Sequence, residues 1–285
     1  MPIISEISLT ITLMVLGAAL LHATWNVMIK GSGDPQFDTA LITMGAGASA
    51  LPFIGFVAPP APESWPYLAG SLAVHVGYYI ALVGAYRHGD LSHAYPLMRG
   101  IAPLIVVASS ALVVGEWPGP GVMLGVVLVS IGVIGIGWFG LKTARPHGRA
   151  TAWALANAVI IASYTLIDAR GVRLSGSPWG YALWMFVFDV FPFALLVWWQ
   201  RGHAFARYVR LRWLRGLAGG ACSAAAYGIA LWAMTRAPVA AVAALRETSV
   251  IFAALLATLV LRESFDRYRI ASACIVAAGV IALRL

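Results

Sequence analysis

Charge is scarce in this chain. Asp, Glu, Lys and Arg make up 11% of its 285 residues and apolar types 61%, whereas a soluble domain carries about 25% charged residues. No hydrophilic stretch is long enough to form a soluble domain, so the expected solvent is lipid. Cysteine is scarce too. Cys222 and Cys274 both fall in apolar runs, which excludes a disulfide framework and leaves them as small core residues. No Lys or Arg precedes Lys30, so the basic start of a cleavable signal is missing. The first apolar run, 7–29, is instead expected as a retained spanning helix. The sequence lacks HExxH, GxSxG and phosphate-loop patterns, and it has no lipidation box. It also lacks the short alternating segments of a membrane β-barrel.

The charge that is present is mostly basic, with a net value of +8. In a soluble protein this would suggest nucleic acid. Here the cations sit between apolar runs, as with Lys142, Arg145 and Arg149 or the stretch 201–215. The expected partner is therefore the anionic headgroup layer of a bilayer, and no nucleic acid.

A helix that crosses hydrocarbon needs about 20 mainly apolar residues. Ten such segments are expected: 7–29, 37–58, 65–87, 91–114, 120–141, 150–168, 178–200, 209–235, 238–261 and 266–284. Pro59-Pro60-Ala61-Pro62, Pro118-Gly119-Pro120 and Ser175-Gly176-Ser177-Pro178 punctuate them.

The sequence repeats itself. Tyr78-Tyr79-Ile80-Ala81-Leu82 matches Tyr227-Gly228-Ile229-Ala230-Leu231, with Arg87 matching Arg236 in the same register. After a two-residue adjustment Arg99 matches Arg246, and Leu112 to Glu116 matches Leu259 to Glu263. Gly132-Val133-Ile134 then matches Gly279-Val280-Ile281. Segments 3–5 thus map onto segments 8–10. The fold class expected is all-α and polytopic, with two five-helix repeats, 1–145 and 146–285. Five is odd, so the second repeat enters the membrane from the opposite side. Inverted repeats of this kind support alternating access to a central cavity near the midplane.

Loop charge sets orientation. Thirteen Lys and Arg lie on one side: Lys30, Arg87, Lys142, Arg145, Arg149, Arg201, Arg207, Arg210, Arg212, Arg215, Arg262, Arg267 and Arg269. Four lie on the other: Arg170, Arg173, Arg236 and Arg284. The count places both termini outside the cytoplasm.

Taken in order, these features resemble the drug/metabolite transporter superfamily in its EamA-like, ten-helix branch. The resemblance rests on the paired halves, the closures ending at Glu116 and Glu263, the Gly-Val-Ile endings, and His22-Ala23-Thr24-Trp25-Asn26 with Lys30. It runs over essentially the whole chain. It implies a secondary carrier in a bacterial inner membrane, often an exporter of amino acids or other metabolites, with no bound cofactor. The cavity it implies is lined mainly by segments 1, 3, 4, 6, 8 and 9. It also implies cytoplasmic termini, against the loop charges.

Polar groups at membrane depth are expensive and mark candidate sites. His22, Trp25 and Asn26 share one face of segment 1. His75, Tyr78 and Tyr79 lie in segment 3, Tyr95 and Arg99 one turn apart in segment 4, and Tyr164 and Asp168 likewise in segment 6. Tyr227 and Trp232 follow in segment 8, and Arg246 and Glu247 in segment 9. Together they suit a cavity whose aromatic walls stack an organic solute and whose Arg meets a carboxylate. His22 and His75 are candidates for proton coupling. The competing account is interhelical hydrogen bonding, with Arg246 neutralising its neighbour Glu247. Glu116 and Glu263, at helix ends, are expected to cap or to pair with Arg. Gly121, Gly125 and Gly132 are expected to pack segment 5 closely on segment 10, holding the halves or a homodimer together. An intramembrane enzyme and a lipid or lipid-precursor flippase are the alternatives. The first needs a nucleophile–base set or metal cluster, and the second needs a cleft open to lipid.

Overall fold

In the computed structural model the described residues are 7–29, 34–88, 91–140, 148–261 and 267–285. Lys30, Lys142, Arg145, Arg262 and Glu263 lie outside them. Every regular element among the described residues is helical. In chain order these are α1 (Leu9–Ile29), α2 (Pro35–Ala50), α3 (Trp65–His88), α4 (Leu91–Val113), α5 (Pro120–Gly140), α6 (Gly148–Leu174), α7 (Pro178–Met234), α8 (Val239–Glu247), α9 (Ser249–Leu261) and α10 (Arg267–Ala282). Two short 3-10 turns, Leu51–Phe56 and Pro62–Ser64, join α2 to α3. Among the described residues, eight helical stretches are long and apolar enough to cross a membrane.

Two helices start by the same local device. Asp34 caps α2, its carboxylate accepting from the Gln36 and Phe37 N–H groups, with Pro35 at the first helical position. Ser177 caps α7, its hydroxyl accepting from the Gly180 N–H, with Pro178 in the matching place. A short polar cap followed by Pro is a strong helix start. Ser32-Gly33-Asp34-Pro35 and Ser175-Gly176-Ser177-Pro178 therefore extend the sequence repeat into its second member.

The expected segments 178–200 and 209–235 both fall in α7, a run of 57 residues broken at Arg201, whose φ of −140° is not helical. Contacts with α2 show what the break does. Gln36 Nε2 donates to Gln200 at 2.7 Å, and a Cβ added to Gly47 would lie 2.1 Å from Val190. The first arm, 178–200, therefore runs antiparallel to α2. Tyr208 donates to Asp38 at 2.6 Å, and a Cβ on Gly45 would meet Gly216. The second arm, 202–234, therefore runs parallel to α2. The two arms are antiparallel, and the chain reverses at Arg201. That turn is held by the Arg201–Asp34 pair at 2.5 Å and by the guanidinium stacked 4.1 Å over Phe37. The expected segment 238–261 is split into α8 and α9 at Thr248.

Packing respects the repeat. α3 lies along α6, and α1 lies along α7 with Trp25 beside Gly219. α4 packs on α6 as α1 packs on α8 and α9. α5 and α10 run antiparallel. A Cβ on Gly121 would lie 2.7 Å from Leu285, one on Gly125 2.8 Å from the Gly279 carbonyl, and one on Gly132 2.8 Å from the Ser272 carbonyl. This is the close approach expected between segments 5 and 10.

At the end that carries the C-terminus, the halves are tied by Glu116. Its carboxylate meets Arg173 at 2.5 Å and accepts from the Val239 N–H at 2.9 Å. Arg173 also donates to the Met234 carbonyl at 2.8 Å. Glu116→Ala is expected to cost about 1–2 kcal/mol, less than a sealed charge pair would, because the two side chains keep 13% and 18% of their exposure. The unfolding midpoint in detergent, followed by tryptophan fluorescence, checks this.

Candidate functional site

The polar residues of the interior converge where α3, α4, α6, α8 and the second arm of α7 meet. α3 supplies His75, Tyr78 and Tyr79. The His75 ring stacks on Tyr164 of α6, with centroids 4.4 Å apart. Tyr164 in turn meets Tyr78 at 5.8 Å and Tyr227 at 6.0 Å, both edge-on. These spacings suit attractive aromatic pairs. His75 Nδ1 lies 2.9 Å from the Ser71 carbonyl oxygen. That oxygen only accepts, so this nitrogen carries the proton.

Two carboxylates sit behind the rings. Asp168 is fully buried, and it accepts from Tyr227 at 2.6 Å and from Tyr181 at 3.0 Å. Asp189, in the first arm of α7, accepts from the Tyr79 hydroxyl through Oδ2, while its Oδ1 has no partner. Asp168 was named beside Tyr164 from the sequence, whereas Asp189 was not anticipated. The signal for Asp189 was present. It is the one acidic residue in the expected crossing 178–200, and a charge at that depth is rare without a function.

The two arginines behave differently. Arg99 pairs with Glu247 across the halves, Nε to Oε2 at 2.6 Å, with both side chains at least 96% buried. The contact is short but lacks hydrogen-bond alignment, and Arg99 Nη2 has no partner. Glu247 is thus neutralised by Arg99, whereas sequence adjacency had pointed to Arg246. Neighbouring residues on a helix face different directions, so Glu247 turns to α4 while Arg246 turns to Tyr227. The Arg246 guanidinium lies 4.5 Å over the Tyr227 ring and has no ion pair among the described residues. Both groups belong to the stretch where the helix tightens at Thr248, with 3-10-type bonds from Thr248 to Leu245 and from Ile251 to Thr248. Such mid-helix tightening often marks a functional hinge.

Of the remaining candidates, His22 and Tyr95 stand close to Arg99 and Arg246. Tyr95 lies near Arg99, 6.0 Å from its guanidinium, and its hydroxyl is buried without a partner. His22 and Trp25 meet edge-on at 5.0 Å, and the Trp25 Nε1 is likewise buried and unpartnered. Asn26 donates back to the His22 carbonyl at 2.7 Å. The Trp232 ring is covered by Arg236 at 4.6 Å. Trp117, Trp198 and Trp199 are exposed near helix ends, where interfacial belts form.

The site therefore joins an aromatic cluster to one arginine with no ion pair among the described residues and to two carboxylates that accept from tyrosine hydroxyls. Comparison with curated proteins gives no significant match. Among solved structures, one crystal structure of a protein aligns with a TM-score of 0.75 over 97% of this chain and 98% of that one, at 19% identity. At that identity the likeness concerns the fold alone. The model of the EamA-like transporter family matches residues 9–138 and again 148–285. The chain therefore belongs to the EamA-like transporter family, within the drug/metabolite transporter superfamily, whose members are membrane proteins that transport small molecules.

Proposed function

We propose that the chain is a secondary carrier that exports amino acids by alternating access. The single observation behind the substrate class is Arg246, a buried guanidinium set on a tyrosine face, with no ion pair among the described residues. A buried cation of that kind costs free energy until an anion meets it, and a planar fork suits a carboxylate. The tyrosines and His75 supply faces for the rest of the solute. Asn26, Trp25, His22, Tyr95 and Trp232 belong to the same reading. Export is the direction that the family resemblance implies.

The carrier has ten crossings in two inverted units, 1–145 and 146–285. The antiparallel arms of α7 count as two crossings, and α8 with α9 as one. The double match to the family model, the exchange-related helix contacts and the antiparallel α5–α10 seam support this arrangement. The protein sits in a bacterial inner membrane with both termini outside, as the loop charges argue, and a homodimer is compatible with its lipid-facing surface.

Counterflow of labelled amino acids in proteoliposomes tests the reading. Arg246→Gln should reduce exchange by about 10- to 100-fold, which corresponds to losing a charge-assisted carboxylate contact. Its unfolding midpoint should stay near that of the wild type. Wild-type vesicles that move no amino acid would sink the proposal.

A further inference from the structure

We propose that Asp189 is the residue that carries a coupling proton, an inference that rests on the carrier reading and assigns the driving ion to one atom of the same site. Asp189 lies in the apolar run Phe186–Phe193 and is 8% exposed. Its Oδ2 accepts from Tyr79, and its Oδ1 has no partner. No Lys or Arg pairs with it among the described residues. A bare carboxylate in such surroundings is costly, and binding a proton removes the charge. The proton adds to Oδ1, leaving the Tyr79 bond on Oδ2, and returns to water when the site opens to the other face.

Of the two carboxylates beside the aromatic cluster, Asp189 alone keeps an oxygen without a partner. From α3 it faces Tyr79 and His75, and from α6 it faces Asp168. Asp168 is already held by the Tyr181 and Tyr227 hydroxyls; His75 Nδ1 meets the Ser71 carbonyl, which leaves its Nε2 as a second acceptor, and a protonated imidazole gives no carboxyl band. The second arm of α7 contributes Tyr227, committed to Asp168. α2 packs on Val190 through Gly47, and its Asp38 accepts from Tyr208. The solute site is one side chain away, since the Tyr79 ring meets Tyr78 at 5.2 Å and His75 at 6.2 Å. Tyr79 thus links proton occupancy on its hydroxyl side to solute contact on its ring side.

Infrared difference spectra of the lipid-reconstituted protein, taken between acid and alkaline buffer, read the proton directly and need no solute. Asp189→Asn, which keeps an acceptor for Tyr79, should lose one protonated-carboxyl band that Asp168→Asn retains. Asp189→Glu should restore a shifted band. A spectrum of Asp189→Asn with every carboxyl band intact would overturn the proposal. So would a wild-type band that sodium chloride abolishes at fixed pH where choline chloride does not. In vesicles, Asp189→Asn should lose accumulation driven by a pH gradient to a greater extent than it loses amino-acid exchange at equal pH. Retained gradient-driven accumulation would also overturn it. If no amino acid moves at all, the carrier reading fails while the infrared result still decides the role of Asp189.

Discussion

Arg99→Ala lowers stability by about 3–5 kcal/mol, the loss expected when one member of a buried ion pair is removed and the other stays unpaired. Glu247 would remain 3% exposed, with its partner at 2.6 Å gone. The loss comes from a stranded charge rather than from a missing attraction. The double replacement of Arg99 by Met and Glu247 by Leu should therefore recover most of it, because neither charge is then left in the interior. Unfolding of the reconstituted protein measures both. Equal destabilisation of the single and double variants would mean that the site fails through packing alone.

Gly220→Ala is the second large effect, and it acts through shape. A Cβ there would lie 2.2 Å from the Ala46 nitrogen and 2.2 Å from the Gly45 carbonyl carbon. Both are backbone atoms, so no side chain can swing aside. α2 and the second arm of α7 must separate along a seam that also holds Gly45 and Gly216. Overpacking costs typically about 1–3 kcal/mol, and a backbone-to-backbone clash belongs at or above the top of that range. Gly17→Ala is the control. Nothing lies within 4 Å of its added Cβ, so this helix position should tolerate alanine or gain up to about 1 kcal/mol from propensity. Comparing the unfolding midpoints of the two variants checks the contrast.

The helix content and repeat were legible because hydrophobic length and Arg, Glu and Gly at fixed offsets are one-dimensional signals. Gly121, Gly125 and Gly132 announced their seam by spacing, and Glu116 announced an end-of-helix pairing by position. The partner of Glu247 was not legible. Adjacency favoured Arg246, and only the direction in which successive helical residues point sends one to α4 and the other to Tyr227. Asp34-Pro35 and Ser177-Pro178 went unmatched because a cap is a two-residue signal lost beside long apolar runs. Asp189 was legible as the one acid in its crossing, but its partner was not: Tyr79 lies 110 positions away, and no local pattern pairs a single acid with a tyrosine on another helix.

As a carrier, the protein should open the polar centre between its two halves to either face by turns. A Tyr78→Cys variant in a background with Cys222 and Cys274 replaced by alanine tests this most directly, using a membrane-impermeant thiol reagent applied separately to each face of oriented vesicles. The account predicts labelling from both faces, with amino acid slowing both reactions. A thiol reached from one face only, or from neither, would contradict it.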